Sequence, residues 1–243
     1  MPPPPTFDLR LAQSRMLSPW VRELRLERVD GARFDFQAGQ WVSLVLPLPE
    51  GEGRRAYSIA SPPDGSAGLE IAVTKVEGGP GSNFLHTLRE GATVRAIGPQ
   101  GFFTRPRGTR HPSLFIGTGT GVTPLRSMIY DALAHGDDSP MTLLFGVRNP
   151  EDRLYCEELE TLAKKHPNFR LEFSLSRPPA ESTTRHGYVQ THVAELWRDL
   201  ESKGAGPPHA YICGLERMVG TVRDLLRKQM GIERKQVHSE RYD

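Results

Sequence analysis

The feature that most constrains the fold of this chain is a change in its hydrophobic pattern near residues 106–112. Before that point, segments such as 21–26 and 41–46 alternate apolar and polar residues, and turns rich in Gly and Pro separate them. After it, short apolar runs alternate with segments of helical periodicity. The first pattern is typical of an antiparallel barrel or sandwich, and the second of a parallel sheet covered by helices. The sequence therefore predicts two domains, residues 1–108 and residues 109–243.

Individual elements can be placed within both patterns. In the first domain we expect an antiparallel β-barrel interrupted by one helix, and in the second a doubly wound parallel α/β sheet. The expected strands are 7–11, 21–26, 41–46, 113–116, 141–147, 171–175 and 210–213. The expected helices are 82–89, 124–135, 156–165, 191–202 and 215–230.

Composition excludes several classes of protein. The 243 residues include 31 Lys and Arg against 29 Asp and Glu, too small a net charge to indicate a nucleic-acid binder. No stretch approaches the ~20 apolar residues of a membrane span, and the N-terminus lacks the pattern of a signal peptide, so we expect a cytoplasmic protein. The two cysteines, Cys156 and Cys213, lie far apart and in no CxxC motif. Neither a disulfide framework nor a metal site is expected, and any electron transfer requires an organic cofactor.

A glycine-rich loop, Gly117-Thr118-Gly119-Thr120-Gly121, follows an apolar strand and precedes a helix. Thr123 is expected to cap that helix, and Pro124 to stand at its first position. The free N–H groups of such a helix start favour binding of a phosphate. The loop is not a Walker A motif, because no Lys-Ser/Thr follows it, and it is not a complete G-x-G-x-x-G motif. A phosphate site for a nucleotide is the functional interpretation, and a tight strand–helix turn is the alternative.

A second group of residues suits a flavin. The segment Arg55-Ala56-Tyr57-Ser58 places a cation, an aromatic ring and a hydroxyl on one strand. The segment 78–84 leads into a helix whose free N–H groups suit a pyrophosphate. The alternatives are a solvated strand face and an ordinary helix cap at Ser82. Two anion sites in the same half favour FAD over FMN.

The coenzyme preference depends on the strand ends of the second domain. In a plain NAD site an acidic residue meets the ribose 2′-hydroxyl, but the segment 146–149 offers Gly-Val-Arg-Asn there. Ser176 and Arg177 follow the third strand of this domain, and Arg185 comes shortly after. Two guanidinium groups are able to clamp a 2′-phosphate, and Tyr188 is placed to stack on adenine. The sequence therefore predicts a preference for NADPH over NADH.

Five motifs occur in an order that resembles the ferredoxin–NADP(+) reductase family. They are 55–61 (RAYSIAS), 81–85 (GSNFL), 98–101 (GPQG), 117–127 (GTGTGVTPLRS) and 211–215 (YICGL). The resemblance extends from about residue 35 to the C-terminus. It implies an N-terminal flavin-binding barrel, a C-terminal pyridine-nucleotide domain, and FAD and NADP(H) as cofactors.

The resemblance also implies roles for single residues at the flavin. Arg55 is expected to pair with a flavin phosphate, Tyr57 to stack on the isoalloxazine ring, and Ser58 to hydrogen-bond near its N5 atom. Gly81 and Ser82 are expected to hold the pyrophosphate. The remaining residues expected along the cofactor are Ala56, Ala72, Val73 and Thr74.

At the nucleotide, the resemblance implies that Thr120 meets the NADP phosphates and that Cys213 and Gly214, followed by Leu215, flank the nicotinamide. Near the C-terminus, Glu240 and Tyr242 look like the acidic residue and the flavin-stacking aromatic of the family. Ser58, Cys213 and Glu240 form the expected catalytic set. Because Asp243 follows Tyr242 and chain ends are often disordered, a frayed tail is the alternative.

These expectations together describe a reductase that transfers hydride between NADPH and FAD and single electrons between the flavin and a ferredoxin or flavodoxin. We expect a monomer, and a basic docking rim is expected at Arg54, Arg105, Arg107 and Arg110. One alternative is an NADH-dependent reductase component of an oxygenase or a free-flavin reductase. Another is a flavin-binding electron-transfer or regulatory subunit that does not turn over nicotinamide.

Overall fold

The computed structural model of the chain describes residues 5–242, which divide into two units. The first unit contains the residues up to Pro106 together with Arg126–Asp131. The second contains Arg107–Leu125 and the residues from Ala132 onward. The change of unit after Pro106 lies close to the predicted domain boundary between residues 108 and 109, which stays a proposal.

The first unit is an antiparallel six-stranded sheet with one helix, as the alternating pattern predicts. Its strands are β1 (Phe7–Ser18), β2 (Val21–Arg28), β3 (Trp41–Leu48), β4 (Gly51–Ser58), β5 (Gly68–Thr74) and β6 (Thr93–Gln100), and its helix is α1 (Pro80–Thr87). The strand order is β4-β3-β6-β1-β2-β5. Inward-facing Leu, Ile and Val side chains from these strands form one buried core.

The two edge strands of this sheet, β4 and β5, meet just beyond Ser58. An antiparallel bridge joins Ile59 to Ile71. Next to it, the N–H of Ala60 donates to the carbonyl oxygen of Glu70 at 2.7 Å. The sheet therefore curls towards a barrel. When its two edges pair, backbone N–H and C=O groups that would otherwise lack hydrogen-bond partners are satisfied.

The second unit is a six-stranded sheet in which every pairing is parallel. Its strands are β7 (Ser113–Thr118), β8 (Met141–Val147), β9 (Phe169–Leu175), β10 (Arg185–His186), β11 (His209–Leu215) and β12 (Val237–Tyr242). Its helices are α2 (Val122–Ala134), α3 (Cys156–Lys165), α4 (Val193–Ser202) and α5 (Glu216–Asp224). The order β10-β9-β8-β7-β11-β12 places β7 near the centre. This confirms the predicted doubly wound α/β class.

Several local expectations are wrong. The first helix begins at Pro80 after Gly79, so Ser82 lies inside α1 and is not its cap. Helix α2 follows a 3-10 turn over Gly119–Gly121, so Thr123 is not its cap and Pro124 is its third residue. The C-terminal segment is not frayed up to Tyr242, because it forms strand β12 on the edge of the parallel sheet. Asp243 lies outside the described residues.

Within residues 5–242, no helix is both long enough and apolar enough to cross a bilayer.

Candidate nucleotide-binding sites

The first candidate site lies along the edge strand β4. Side chains two residues apart on a strand share a face, so Arg55 and Tyr57 project to the same side. Tyr57 packs on the barrel core, whereas Arg55 is exposed. The strand thus presents a ring and a cation in line, as the flavin hypothesis requires.

The cation of this site lies against the start of helix α1. A Cβ atom added to Gly81 would lie only 3.2 Å from Cγ of Arg55 and 3.3 Å from Cδ1 of Leu46. The absence of a side chain at Gly81 therefore allows the arginine to approach the helix start closely. The free N–H groups of that turn and the guanidinium together form a cradle that fits a phosphate or pyrophosphate.

The loop before α1 is fastened by the hydroxyl of Ser82. Its Oγ accepts a hydrogen bond from the N–H of Val76 at 3.1 Å and lies 3.1 Å from the carbonyl oxygen of Gly79. The hydroxyl therefore shapes the loop, and the contribution of Ser82 to an anion site comes from its backbone N–H. Sequence reasoning placed Ser82 near the phosphate but missed this anchoring.

The other residues expected at the flavin lie on the two edge strands, β4 and β5. Burial raises the pKa of Tyr57 to about 12, and the neighbouring charge of Arg55 opposes this shift, so the ring stays a neutral phenol. Ser58 is buried at the end of β4. On the opposite edge strand, Ala72 and Val73 are buried and Thr74 is exposed, while Ala56 is exposed on β4.

The second candidate site is the glycine loop at the carboxyl end of β7. A Cβ atom at Gly121 would overlap the backbone carbonyl of Cys213, so only glycine allows this close approach of loop and strand β11. Gly119 has a φ of +54°, in the left-handed region that glycine adopts without strain. Thr123 donates its hydroxyl proton to the carbonyl of Thr120 at 2.8 Å, which stabilises the turn from within the helix.

A buried hydroxyl beside this loop supports nucleotide binding. Oγ1 of Thr118 is buried and has no hydrogen-bond partner among the described residues. A Cβ atom at Gly214 would overlap this hydroxyl. Buried polar groups are rarely left unpaired, so an unpaired hydroxyl at the carboxyl edge of a parallel sheet fits a nucleotide group as its missing partner. The glycine motif contained Thr118, but its pattern alone did not single this residue out.

The C-terminal strand brings the expected nicotinamide residues together. Cys213 is fully buried, and Glu240 lies directly opposite it in the β11–β12 register. Burial raises the pKa of the Cys213 thiol far above its usual range, and the charge of Glu240 adds to the shift. A hydrogen bond with Tyr242 opposes it, and the Tyr242 hydroxyl also lies 3.4 Å from Oγ1 of Thr123. The thiol is therefore neutral at physiological pH, and Tyr242 is held at the glycine loop.

The residues of the expected phosphate clamp differ in how far their side chains are already paired. The N–H of Arg177 donates to the carbonyl of Arg148 at 2.9 Å, and both side chains are exposed at neighbouring strand ends. Arg185 differs from its expectation. Its guanidinium donates to Glu172 at 2.9 Å and to both carboxylate oxygens of Glu195 at 2.7 and 2.8 Å. These ion pairs raise the pKa of Arg185 and occupy the nitrogens that a 2′-phosphate would need.

Arg148 is thus a candidate that sequence reasoning missed. In the sequence this residue stands where an NAD site has an acid, and a cation at that position indicates a phosphate. Ser176 follows β9, where its N–H donates to the carbonyl of Val147 at 3.0 Å. Tyr188 is exposed beyond β10, and Leu215 is exposed at the end of β11.

Two family models match the chain. The "Oxidoreductase FAD-binding domain" matches residues 8–104, and the "Oxidoreductase NAD-binding domain" matches residues 115–224. The first range covers the strands and helix of the candidate flavin site, and the second covers the glycine loop, the clamp and Cys213.

Individual proteins are similar over most of the chain. Ferredoxin–NADP reductase B of Sorangium cellulosum (strain So ce56) is 56% identical over 238 residues, which are 98% of each chain. The reductase component of phenol 2-monooxygenase from Pseudomonas sp. (strain CF600) is 34% identical over 88% of this chain, which spans 60% of that protein. The crystal structure of a ferredoxin–NADP+ reductase from Neisseria gonorrhoeae with bound FAD and NADP superposes with a TM-score of 0.81 at 20% identity, covering 97% of this chain and 98% of that one. That last likeness shows the fold.

Proposed function

The chain belongs to the ferredoxin–NADP(+) reductase family of FAD- and NAD-binding oxidoreductases, and on that premise we propose that it transfers hydride between NADPH and FAD and single electrons between the flavin and a carrier protein. The observation that carries the proposal is the 56% identity to a ferredoxin–NADP reductase across 98% of both chains. When bound, FAD supplies the hydride and one-electron chemistry. The protein supplies binding, orientation and exclusion of water.

At the flavin, each residue has a separate task. Arg55 and the first turn of α1, with Gly81 and the backbone of Ser82, bind the pyrophosphate. Tyr57 offers its ring face, and its raised pKa keeps it uncharged beside the cofactor. Ser58 hydrogen-bonds near the reactive edge of the flavin, and Ala56 and the β5 residues Ala72, Val73 and Thr74 line its length.

At the nicotinamide, we assign Cys213, Gly214 and Glu240 to positioning of the ring. The neutral thiol of Cys213 provides a dry apolar contact, because its raised pKa prevents a thiolate from forming there. Glu240 adds one negative charge beside it, which stabilises a positively charged nicotinamide ring. Thr120 and the orphaned hydroxyl of Thr118 serve the diphosphate at the glycine loop.

We assign the preference for NADPH to Ser176, Arg177 and Arg148. The two arginines follow adjacent strands and share a backbone hydrogen bond of 2.9 Å, so both side chains start from neighbouring points at one edge of the sheet. A dianionic 2′-phosphate gains charge-assisted hydrogen bonds there, whereas the 2′-hydroxyl of NADH does not. Arg185 has its ion-pair partners already and is left out of this clamp. Tyr188 serves as an adenine platform.

The carrier we propose is an acidic ferredoxin or flavodoxin, and the protein acts as a cytoplasmic monomer. The basic rim expected from the sequence is reduced in the structure. Arg105 is only 5% exposed, and Arg110 pairs with Asp138 at 3.1 Å. Arg54 is exposed on β4, and we keep it as a docking residue.

An NADH-dependent reductase component of an oxygenase is the second candidate, favoured by the 34% identity to the phenol 2-monooxygenase component. One anaerobic experiment separates the possibilities. Purified yellow protein is mixed with NADPH or NADH, and flavin absorbance is followed in a stopped-flow instrument. Faster bleaching by NADPH, followed by rapid reoxidation on adding ferredoxin or flavodoxin, supports the proposal. Faster bleaching by NADH favours the oxygenase component, and no bleaching favours a non-catalytic flavin subunit.

A further inference from the structure

The C-terminal end of helix α1 is held by an arginine from strand β2. Nη1 of Arg22 donates to the carbonyl oxygens of Leu85 and His86, at 2.9 and 2.8 Å, and Nη2 donates to Oγ of Ser14 at 2.7 Å. The last carbonyl groups of a helix have no partner inside it, and Leu88, with φ −60° and ψ 130°, leaves α1 without the left-handed residue that often caps them. The guanidinium therefore acts as the cap, and its charge lies at the negative end of the helix dipole.

A second hydrogen bond fastens the same helical turn to strand β5. Nε2 of His86 lies 2.8 Å from the carbonyl oxygen of Val73, and since a carbonyl oxygen only accepts, the ring donates here. Val73 is the register partner of Arg22 in the antiparallel pairing of β2 with β5. Two neighbouring strands thus hold the last turn of α1 from adjacent points. We call Arg22 and His86 together the α1 anchor.

The opposite end of α1 is the turn that forms the phosphate cradle. The helix has eight residues, so its two ends are only about 12 Å apart. At its start, Gly81 packs so closely on Arg55 that an added Cβ atom would lie 3.2 Å from Cγ of the arginine. A helix this short moves as one body, so a shift at the anchor changes the distance between the first N–H groups of α1 and Arg55. A phosphate held by both depends on that distance.

We propose that the α1 anchor positions the phosphate cradle of the flavin site, so that Arg22 and His86 set the affinity for FAD through the placement of α1 and not through contact with the cofactor. The inference rests on the proposed flavin site. Both residues are positioning residues, because their hydrogen bonds end on the last turn of the helix, on Ser14 and on Val73. Arg55 and the first turn of α1 remain the groups that bind the phosphates.

The affinity for FAD and the absorption spectrum of the bound flavin together test this role. Apoprotein of the full chain is titrated with FAD, and the change in flavin fluorescence gives the dissociation constant. Arg22→Met keeps the apolar stem but loses the charge and three hydrogen bonds, and it is expected to raise that constant about ten-fold, the scale of one hydrogen bond to a charged group. Arg22→Lys restores the cation and should recover part of the loss. The spectrum of the bound flavin should keep its wild-type shape, because the ring lies on β4 and not on α1.

Arg25→Met is the matched control, because Arg25 is exposed on the same strand and lies 3.9 Å from its carboxylate partner, Glu27. It should leave the affinity for FAD unchanged. His86→Ala removes the single hydrogen bond to Val73 and should weaken FAD binding by a smaller factor, and it carries the test if Arg22→Met does not fold.

The proposal is overturned if Arg22→Met, or His86→Ala in its place, binds FAD as tightly as the wild type. It is also overturned if Arg25→Met weakens binding equally, or if the weaker binding comes with an altered flavin spectrum, because the ring site would then be disturbed as well. Failure of the proposed function appears in a different measurement, as absence of flavin bleaching by NADPH. The affinity of the apoprotein for FAD does not depend on that reaction.

Discussion

Cys213 and Glu240 face each other across the parallel pairing of β11 and β12, at the carboxyl end of the second sheet. The pairing fixes a carboxylate beside a buried thiol, and burial together with that charge raises the thiol pKa. The acidic residue near the C-terminus is therefore part of the sheet and is held at a defined position relative to the glycine loop.

Replacement of Glu240 is expected to slow the reaction without loss of flavin. In Glu240→Gln the side chain keeps its size but loses the charge that we assign to the nicotinamide ring. Flavin reduction by NADPH should slow by about 10-fold or more, the scale for loss of one electrostatic contact at a reacting centre. Stopped-flow absorbance measures the rate, and the flavin content should not change. Ser239→Ala, on the other face of β12, is the control, and an equal effect there would contradict the assignment.

Removal of Tyr242 and Asp243 tests the proposed flavin-stacking role of the tail. If the aromatic ring competes with nicotinamide for one position, truncation should tighten NADP binding, weaken discrimination against NADH and slow turnover through slow nucleotide release. Titration and steady-state kinetics measure these effects. Tyr242→Phe removes only the hydroxyl near Thr123 and Cys213 and should behave like the wild type. Unchanged affinity, preference and turnover on truncation would show that the ring has no such role.

Substitution of the strand-end arginines should change coenzyme preference. Arg177→Ala and Arg148→Ala are each expected to lower kcat/KM for NADPH. The loss should correspond to roughly 1–3 kcal/mol of transition-state stabilisation, the scale of a charge-assisted hydrogen bond, with little change in kcat/KM for NADH. Arg170→Ala, near the start of β9, is the control. Arg185→Ala should instead lower the melting temperature, because it removes the ion pairs with Glu172 and Glu195. If Arg185→Ala loses the NADPH preference while Arg177→Ala and Arg148→Ala keep it, Arg185 binds the 2′-phosphate and the assignment is wrong.

Adjacent arginines on β4 provide a matched pair for the flavin phosphate. Arg55→Ala is expected to weaken FAD binding by about 1–3 kcal/mol, because Arg55 lies at the start of α1. Arg54→Ala removes the same charge from the neighbouring position, whose side chain projects to the other face of the strand. Flavin fluorescence during dilution of the holoprotein measures the affinity. Equal weakening by both variants would indicate a general charge effect.

A stack of histidines at the amino end of the second sheet should make its stability depend on pH. Nδ1 of His209 lies 3.0 Å from Nε2 of His238, and the rings of His111 and Tyr211 stack against this pair. Burial lowers the pKa of His238 below its ordinary 6.5. The unfolded chain therefore binds a proton near pH 6.5 that the folded chain does not, so the free energy of unfolding falls as pH drops below about 6.5.

Thermal melts between pH 8 and pH 5 check this expectation. His238→Gln should show a smaller loss of melting temperature on acidification than the wild type. His135→Gln, at an exposed histidine after α2, controls for the loss of one histidine side chain. Parallel curves for the wild type and His238→Gln would show that His238 is not the responsible group.

The features that depend on local pattern are predictable from the sequence. The change in periodicity near residue 106 separated an antiparallel from a parallel sheet, because strand alternation and helical spacing are read within a few residues. Gly81 and Gly121 belong to motifs that the sequence singles out, and the structure shows Cγ of Arg55 and the Cys213 carbonyl close to where their Cβ atoms would lie. The motifs that contain these glycines also indicate the cofactors, a flavin and a pyridine nucleotide.

Which of the candidate side chains are available for a ligand depends on contacts that form only in the folded chain. Arg177 and Arg185 look equivalent in the sequence, but Arg185 is paired by Glu172 and Glu195 from other elements, while Arg148 comes beside Arg177. Strand β12 carries a polar segment that does not indicate a strand, and it forms because β11 offers a free edge for parallel pairing. Such pairings join residues distant in the chain. A pattern read over a few neighbouring residues does not include these long-range pairings. Only the folded chain therefore shows which charged side chains are already paired and which remain for a ligand.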